Sequence, residues 1–332
     1  MIDGFGRIIE YLRVSVTDKC NLRCRYCMPP EGVSKLSHSD ILTIEEITRI
    51  CALLCEMGVR RVRFTGGEPL IRKGITDLIH NLSSLDNAPE ILMTTNGVLL
   101  AKSIEALYEA GLAGVNISLD TTDRNEFLRM TGSDLLSDVI NSINAAYETG
   151  IRIKINCVPI TGINDKEIPK IAEFARNLMI DVRFIELMPI GCAAGYDRVT
   201  GEGVLHKIIH SFGLSEGDLH PDYGEDSQNG IPKGPALYYR IKGFAGRIGL
   251  IDPISDSFCD KCNRIRLTST GQIKPCLYFS DSIDLRKLIR DGCTDEDIKE
   301  AVMRAIAAKP REHRFGIPDG NGDSRKMYQI GG

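Results

Sequence analysis

Six strand-like segments alternate with helical patterns between residues 10 and 190, and each strand carries chemically different residues on its two faces. The segments cover about 12–17, 61–65, 91–96, 114–120, 151–158 and 182–187. Side chains alternate across a strand. One face therefore presents Arg13, Ser15 and Thr17, then Arg61, Arg63 and Thr65, Thr94 and Asn96, Asn116, Ser118 and Asp120, and finally Arg152, Lys154 and Asn156. The other presents Leu12, Val14, Val16, Val62, Phe64, Ile91, Met93, Val115, Ile117, Leu119, Ile151, Ile153 and Ile155. Helical patterns lie between, as after Thr43-Ile44-Glu45-Glu46 and over 135–149, with Gly58, Gly111 and Gly150 at their exits. Such units imply a parallel sheet with right-handed crossovers. A doubly wound sheet would bury both faces and read as nearly continuous apolar runs. A closed eight-unit barrel would fill its lumen with branched aliphatics. An antiparallel sheet with one wet face would need hairpins where this chain has helices. The pattern predicts an α/β fold, a partial (β/α)6 TIM-like barrel whose basic face looks into an open interior.

After residue 190 the rhythm breaks, which divides the chain into a barrel over 1–190 and an α+β C-terminal region over 191–332. Residues 192–203 and 215–235 read as loops around a short helix near 204–212. Strand-like runs follow at 237–242 and 247–251, then helical patterns near 284–290 and 295–308. The tail from Lys309 is polar, with little to hold it unless it docks. A net charge of −4 argues against a nucleic-acid or membrane-surface binder. With no signal-peptide core and no long apolar run, the expectation is a soluble cytoplasmic protein.

In a reducing compartment the eleven cysteines read as metal ligands and core thiols rather than disulfides. Cys20, Cys24 and Cys27 stand as C-x3-C-x2-C just after the first strand. Three thiolates hold three corners of a 4Fe-4S cluster, which normally takes four, and so leave one iron open for chemistry. The second strand runs into Gly66-Gly67-Glu68-Pro69, where glycines allow close backbone approach to a ligand. A second group, Cys259-x2-Cys262-x13-Cys276, could by itself be a zinc ribbon completed by Cys293 or a histidine. Beside the first group, a second 4Fe-4S cluster is the better reading. Arg264 and Arg266 share one strand face next to it, and guanidinium forks suit phosphate and purine oxygens.

The segments LRVSVTDKCNLRCRYCMP (12–29), TGGEPL (65–70), MTTNG (93–97), NISLD (116–120), FIELMPIG (184–191) and FCDKCNRIRLT (258–268), with the terminal Gly331-Gly332, resemble those of one family. It is the molybdenum cofactor biosynthesis protein A family, the GTP 3′,8-cyclases of the radical S-adenosylmethionine (SAM) superfamily. The resemblance implies two 4Fe-4S clusters, on Cys20, Cys24 and Cys27 and on Cys259, Cys262 and Cys276. It implies SAM contacts at Tyr26, Gly67, Ser118 and Met188, and GTP contacts at Arg13, Arg63, Thr94, Lys154, Arg264 and Arg266. Arg264, Arg266, Gly331 and Gly332 would take part in catalysis, the glycine tail reaching into the pocket. It further implies that a deoxyadenosyl radical takes the ribose C3′ hydrogen of GTP and that C3′ then attacks C8 of guanine. The family's partners would be GTP, a one-electron donor of flavodoxin or ferredoxin type, a downstream cyclic pyranopterin monophosphate synthase and a second copy in a homodimer.

Two other readings remain open at this point. Another radical SAM enzyme with an auxiliary cluster would not explain the lumen arginines or the diglycine end. A non-catalytic scaffold would carry zinc at the second site. Cys51, Cys55, Cys157, Cys192 and Cys293 read as structural thiols. His38, His80, His206, His210, His220 and His313 show no ligand spacing or triad, and Arg72 and Lys73 read as the start of a helix.

Overall fold

The computed structural model describes residues 1–29, 31–33, 36–222, 234–315 and 322–331. Six strands, β1 (Tyr11–Ser15), β2 (Arg61–Thr65), β3 (Glu90–Thr95), β4 (Gly114–Ser118), β5 (Arg152–Cys157) and β6 (Asp181–Ile185), lie side by side in chain order and parallel. Their helices are α1 (Ile44–Glu56), α2 (Ile75–Ser83), α3 (Ile104–Glu109), α4 (Arg124–Thr131), α5 (Leu136–Glu148) and α6 (Ile168–Asn177). α1 starts at a capping box, Thr43 Oγ1 accepting from Glu46 N–H and the Glu46 carboxylate from Thr43 N–H. It then buries Ile47, Ile50, Cys51, Leu54 and Cys55 at helical spacing. The predicted apolar strand face forms one core under these helices, with Leu12, Val14, Val62, Phe64, Met93, Ile117, Ile155 and Val182 without exposure. Burial of this kind contributes about 25 cal/mol per Å² of apolar surface, so the alternation fixes which face is the interior wall.

Strands beyond residue 190 extend the same sheet from both edges. After α7 (Gly201–Phe212) come β7 (Leu219–Asp222), β8 (Leu237–Ile241) and β9 (Arg247–Ile251), and β9 pairs parallel with β6. On the opposite edge β10 (Arg264–Leu267) pairs parallel with β1, followed by β11 (Gln272–Lys274) and β12 (Ile283–Asp284). The resulting order is β12-β11-β10-β1-β2-β3-β4-β5-β6-β9-β8-β7, an open sheet curled around a central cavity. The stretch from 215, read above as loop, thus contains a strand, because 219–222 finds the edge of β8. The rest of that loop, 223–233, lies outside the described residues. β1, β4 and β6 end two residues before their predicted limits, although Val16, Leu119 and Glu186 still donate to the Thr65, Asn156 and Ile251 carbonyls alongside.

The sheet is closed off by α8 (Leu285–Arg290), α9 (Asp295–Ala307) and a short α10 (Met327–Ile330) in the tail. The tail does dock. Asp323 forms a buried ion pair with Lys274, and its N–H donates to the Tyr278 carbonyl at 2.6 Å. Arg325 reaches the Ser280 carbonyl at 3.0 Å. Among the described residues no helix is long and apolar enough to cross a membrane.

Candidate active site

The loop that leaves β1 carries Cys20, Cys24 and Cys27 to the C-terminal rim of the parallel strands, where side chains can converge on a ligand. The GGEP turn holds this loop. Gly67 N–H donates to Thr17 O and Glu68 N–H to Lys19 O, both at 2.8 Å. A Cβ on Gly66 would lie 2.3 Å from Thr17 O, and one on Gly67 would lie 2.1 Å from Lys19 O. The glycines are therefore required first by the backbone of residues 17–19, a neighbour the sequence does not reveal.

Glu68, wholly buried, braces the same rim from below. It accepts from Leu70 N–H at 3.0 Å, Thr95 Oγ1 at 2.8 Å and Asn96 N–H at 2.7 Å. Burial raises its carboxyl to about 7 against these stabilising donors. Asn96 in turn donates to the Cys20 sulfur at 3.5 Å, and Leu22 N–H does so at 3.4 Å. Tyr328 N–H from the tail reaches Cys27. Three thiols that line one cavity, two of them (Cys20 and Cys27) accepting N–H groups, are a suitable donor set for a cluster.

Tyr26 donates its hydroxyl to Asp120 at 2.7 Å, and Asp120 also accepts from Val158 N–H at 2.8 Å. Burial pushes Asp120 up to about 6. Burial, then Asp120 and the neighbouring thiols, raises Cys24; burial, then Cys20, Cys192 and Asp120, brings Cys27 to about 12. Gly67, Ser118 and Met188 line the cavity beside this group. Cys192, read above as merely structural, stands within electrostatic reach of Cys27. Cys51, Cys55 and Cys157 are buried core thiols.

On the cavity floor lie Arg13, Arg63, Thr94, Lys154 and Arg183. Arg63 donates to the Tyr11 hydroxyl at 2.5 Å and the Met93 carbonyl at 3.1 Å. Burial would raise the Tyr11 phenol, but the guanidiniums of Arg63, Arg13 and Arg61 outweigh it and bring it to about 8. Burial and the repulsion of neighbouring guanidiniums lower Arg13, Arg266 contributing most among those neighbours. Lys154 meets Asp181 at 3.2 Å and the Tyr238 hydroxyl at 2.9 Å. Arg13 and Arg63 are buried guanidiniums whose charge a polyanion would complement, while Lys154 is shared with Asp181.

The second triad faces the same space. Cys259, Cys262 and Cys276 line it with Arg264 and Arg266, which β10 sets beside β1 with Arg266 opposite Arg13. Burial would raise Cys262, yet Arg264 and Lys309 bring it down to about 6. Arg266 is lowered to about 10 by burial and by Arg264. Glu186 positions the approach to this loop, accepting from Ile254 N–H at 2.8 Å and Ser255 N–H at 2.9 Å. Cys293 is not part of the group; its charged neighbours are Arg49, Asp297 and Asp295. Among the described residues no three His, Cys, Asp or Glu side chains converge as on a single metal ion.

Gly331 is buried, its carbonyl accepting from Arg266 Nη1 at 2.5 Å, and a Cβ there would meet Thr65 Oγ1 at 2.8 Å. Gly332 lies outside the described residues. Every other residue expected to bind metal, SAM or GTP lines one cavity of about 1060 Å³, just above the roughly 300–1,000 Å³ usual for a single small-molecule site. Glu68, Glu186, Arg7 and Lys309 were not singled out by sequence. Glu68 and Glu186 lie inside the quoted TGGEPL and FIELMPIG segments, whereas Arg7 and Lys309 carry no motif signal.

Comparison with known proteins decides the family. Residues 14–175 match the Radical SAM superfamily and 180–315 match Molybdenum Cofactor Synthesis C. The chain is 43% identical to GTP 3′,8-cyclase of Desulforamulus reducens and 44% identical to that of Alkaliphilus oremlandii, over the full length of both partners in each case. This chain belongs to the GTP 3′,8-cyclase family. It is a radical SAM protein with the molybdenum-cofactor C-terminal region. Among solved structures, Streptococcus suis SuiB bound to precursor peptide SuiA shares the fold, with a TM-score of 0.61 at 16% identity, covering 91% of this chain and 67% of that one.

Proposed function

We propose that this family member converts GTP to (8S)-3′,8-cyclo-7,8-dihydroguanosine 5′-triphosphate for molybdenum cofactor biosynthesis. The observation that carries the reading is the single cavity shared by two thiol triads, with a floor of arginines between them. Cys20, Cys24 and Cys27 would hold a cluster, which with SAM bound beside Tyr26 would supply the 5′-deoxyadenosyl radical chemistry that removes the C3′ hydrogen of GTP. Tyr26 and Ser118 border the SAM position, and Gly67 offers its backbone there. Arg13, Arg63, Thr94 and Lys154 hold the triphosphate, so the ribose is fixed between the triads. Arg264 and Arg266 orient the guanine beside a second cluster on Cys259, Cys262 and Cys276, bringing C8 towards C3′. Orientation of this kind supplies much of the rate in an intramolecular closure. The tail at Gly331 narrows access and limits water.

One electron cleaves SAM to methionine and the radical, and a second, with a proton, quenches the cyclised product radical. Both electrons come from a donor of flavodoxin or ferredoxin type, and the product passes to a cyclic pyranopterin monophosphate synthase. The protein works in the cytoplasm as a homodimer. The test is an anaerobic turnover of reconstituted protein with SAM, dithionite and GTP deuterated at C3′. Deuterium in 5′-deoxyadenosine with a cyclised guanine product supports the proposal. Deoxyadenosine without deuterium moves it to another substrate, and no deoxyadenosine from a fully loaded protein refutes it.

A further inference from the structure

Lys309 stands just beyond α9, and only 4% of it is exposed. Its ammonium donates to the Arg264 carbonyl at 2.8 Å and to the Pro275 carbonyl at 2.7 Å. Those carbonyls belong to the two chain segments that bear the second triad, one two residues after Cys262 and the other immediately before Cys276. Among the described residues no carboxylate pairs with it. The opposite charges that face it are the thiols of Cys262 and Cys276, while Arg7 and Arg264 add to the positive field. Arg7 completes the frame by donating to the Cys259 carbonyl at 2.8 Å and the Pro310 carbonyl at 2.6 Å.

A buried ammonium without a carboxylate is costly unless another negative charge compensates it. Two carbonyls use two of its three donors and supply no formal charge. Thiolates do, and a cluster bound by three thiolates is one unit more negative when reduced. A fixed cation therefore favours the reduced form, since net charge and hydrogen bonding tune cluster potentials. The first triad has the opposite setting, with Asp120 among the groups acting on Cys24 and Cys27.

We propose that Lys309 is the built-in counter-charge of the second cluster, a positioning residue that clips its two ligand segments together and raises its reduction potential. This rests on the second triad holding a 4Fe-4S cluster. The experiment compares the full-length reconstituted protein with Lys309→Gln and Lys309→Arg, by iron and sulfide content, EPR-monitored redox titration and thermal melting. Signals are assigned with a Cys24→Ala version of each.

About eight irons per chain in the parent establishes the clusters; zinc in place of half of them overturns the cluster reading itself, before any variant is made. With both clusters present, Lys309→Gln keeps an amide NH2 with two N–H donors but loses the charge. Its second couple is expected to favour the reduced form about tenfold less, a shift of about 59 mV to lower potential for one electron. The first couple stays unchanged, and Lys309→Arg stays near the parent. If Lys309→Gln instead loses only the second cluster while Lys309→Arg retains it, the charge is shown to hold the cluster in place. A second couple unchanged in Lys309→Gln, or Lys309→Arg behaving like Lys309→Gln, overturns the proposal.

Discussion

Replacing Gly67 by Ala tests whether the GGEP turn is built for the cysteine loop as well as for a ligand. The new Cβ would stand 2.1 Å from Lys19 O, 2.5 Å from Lys19 C and 2.8 Å from Asp18 O. All three are backbone atoms, so no side-chain rotation relieves them. Lys19 O must retreat by at least about 0.9 Å to reach even a 3.0 Å contact. The same carbonyl accepts from Glu68 N–H at 2.8 Å, a bond that this displacement breaks. Overpacking costs about 1–3 kcal/mol and the lost bond about 1 more, so the native loop is disfavoured by about 2–4 kcal/mol. The next residue is Cys20. A loop shifted there displaces the first ligand while leaving the core under α1 and α2 untouched. Gly67→Ala is therefore expected to lose most of its first-site iron and to cleave SAM at least about tenfold more slowly, the factor that 1.36 kcal/mol carries. Gly195→Ala is the control, because no atom lies within 4 Å of its added Cβ. Iron per chain and 5′-deoxyadenosine formation read the outcome. A Gly67→Ala protein with a full first cluster and parental SAM cleavage would falsify the argument.

Asp120 supplies a pH dependence. Its folded value, about 6, lies above the ordinary 3.8, so between these values the folded state binds the extra proton. Its contribution to stability is full below about 3.8 and is lost as pH rises through about 6. Allowing for screening by cavity water, the change is about 2 kcal/mol. Asp120→Asn can still accept from Val158 and meet the Tyr26 hydroxyl, and it should flatten that slope in urea titrations of the metal-free chain; an unchanged slope counts against Asp120. Arg7→Met leaves the buried Asp3 carboxylate without its 2.6 Å partner and should cost about 3–5 kcal/mol in denaturant unfolding. Adding Asp3→Asn should recover part of that loss, and no recovery would mean the pair is not its source. Arg266→Ala should weaken GTP binding by about 10–100-fold in anaerobic calorimetry, as expected for a charged hydrogen bond. The first cluster should stay intact, and unchanged affinity would remove Arg266 from the site.

The wall of the cavity was legible because a strand's period is two. Arg13, Arg63, Thr94, Ser118 and Lys154 follow from alternation alone, and all five line the cavity. The first triad has a telling spacing, while the second by itself reads as a possible zinc ribbon and becomes a cluster candidate only beside the first. The partners of the late strands were not legible, since β10 lies beside β1 across some 250 residues of chain and nothing local encodes that choice. Arg7 and Lys309 look in sequence like ordinary charged residues near chain turns. Only the folded chain shows them surrounded by the carbonyls of the second triad's loops. The polar composition of the tail says only that it has little to hold it unless it docks. Its anchor is the Lys274–Asp323 pair, a tertiary contact with no periodic signature.

The docked tail also gives the cavity a logic that neither triad has by itself. Tyr328 N–H touches the first triad at Cys27, and three residues later Gly331 O takes the guanidinium of Arg266 beside the second. One short segment therefore senses both ends of the space in which a substrate would lie. Gly331 adopts φ 77 and rests against Ser15 and Thr65 at the ends of β1 and β2. A side chain at that position is opposed by the backbone conformation and by the 2.8 Å approach of Thr65 Oγ1 together. The same short segment thus borders the rim at Cys27 and holds the guanidinium of Arg266 beside the second triad.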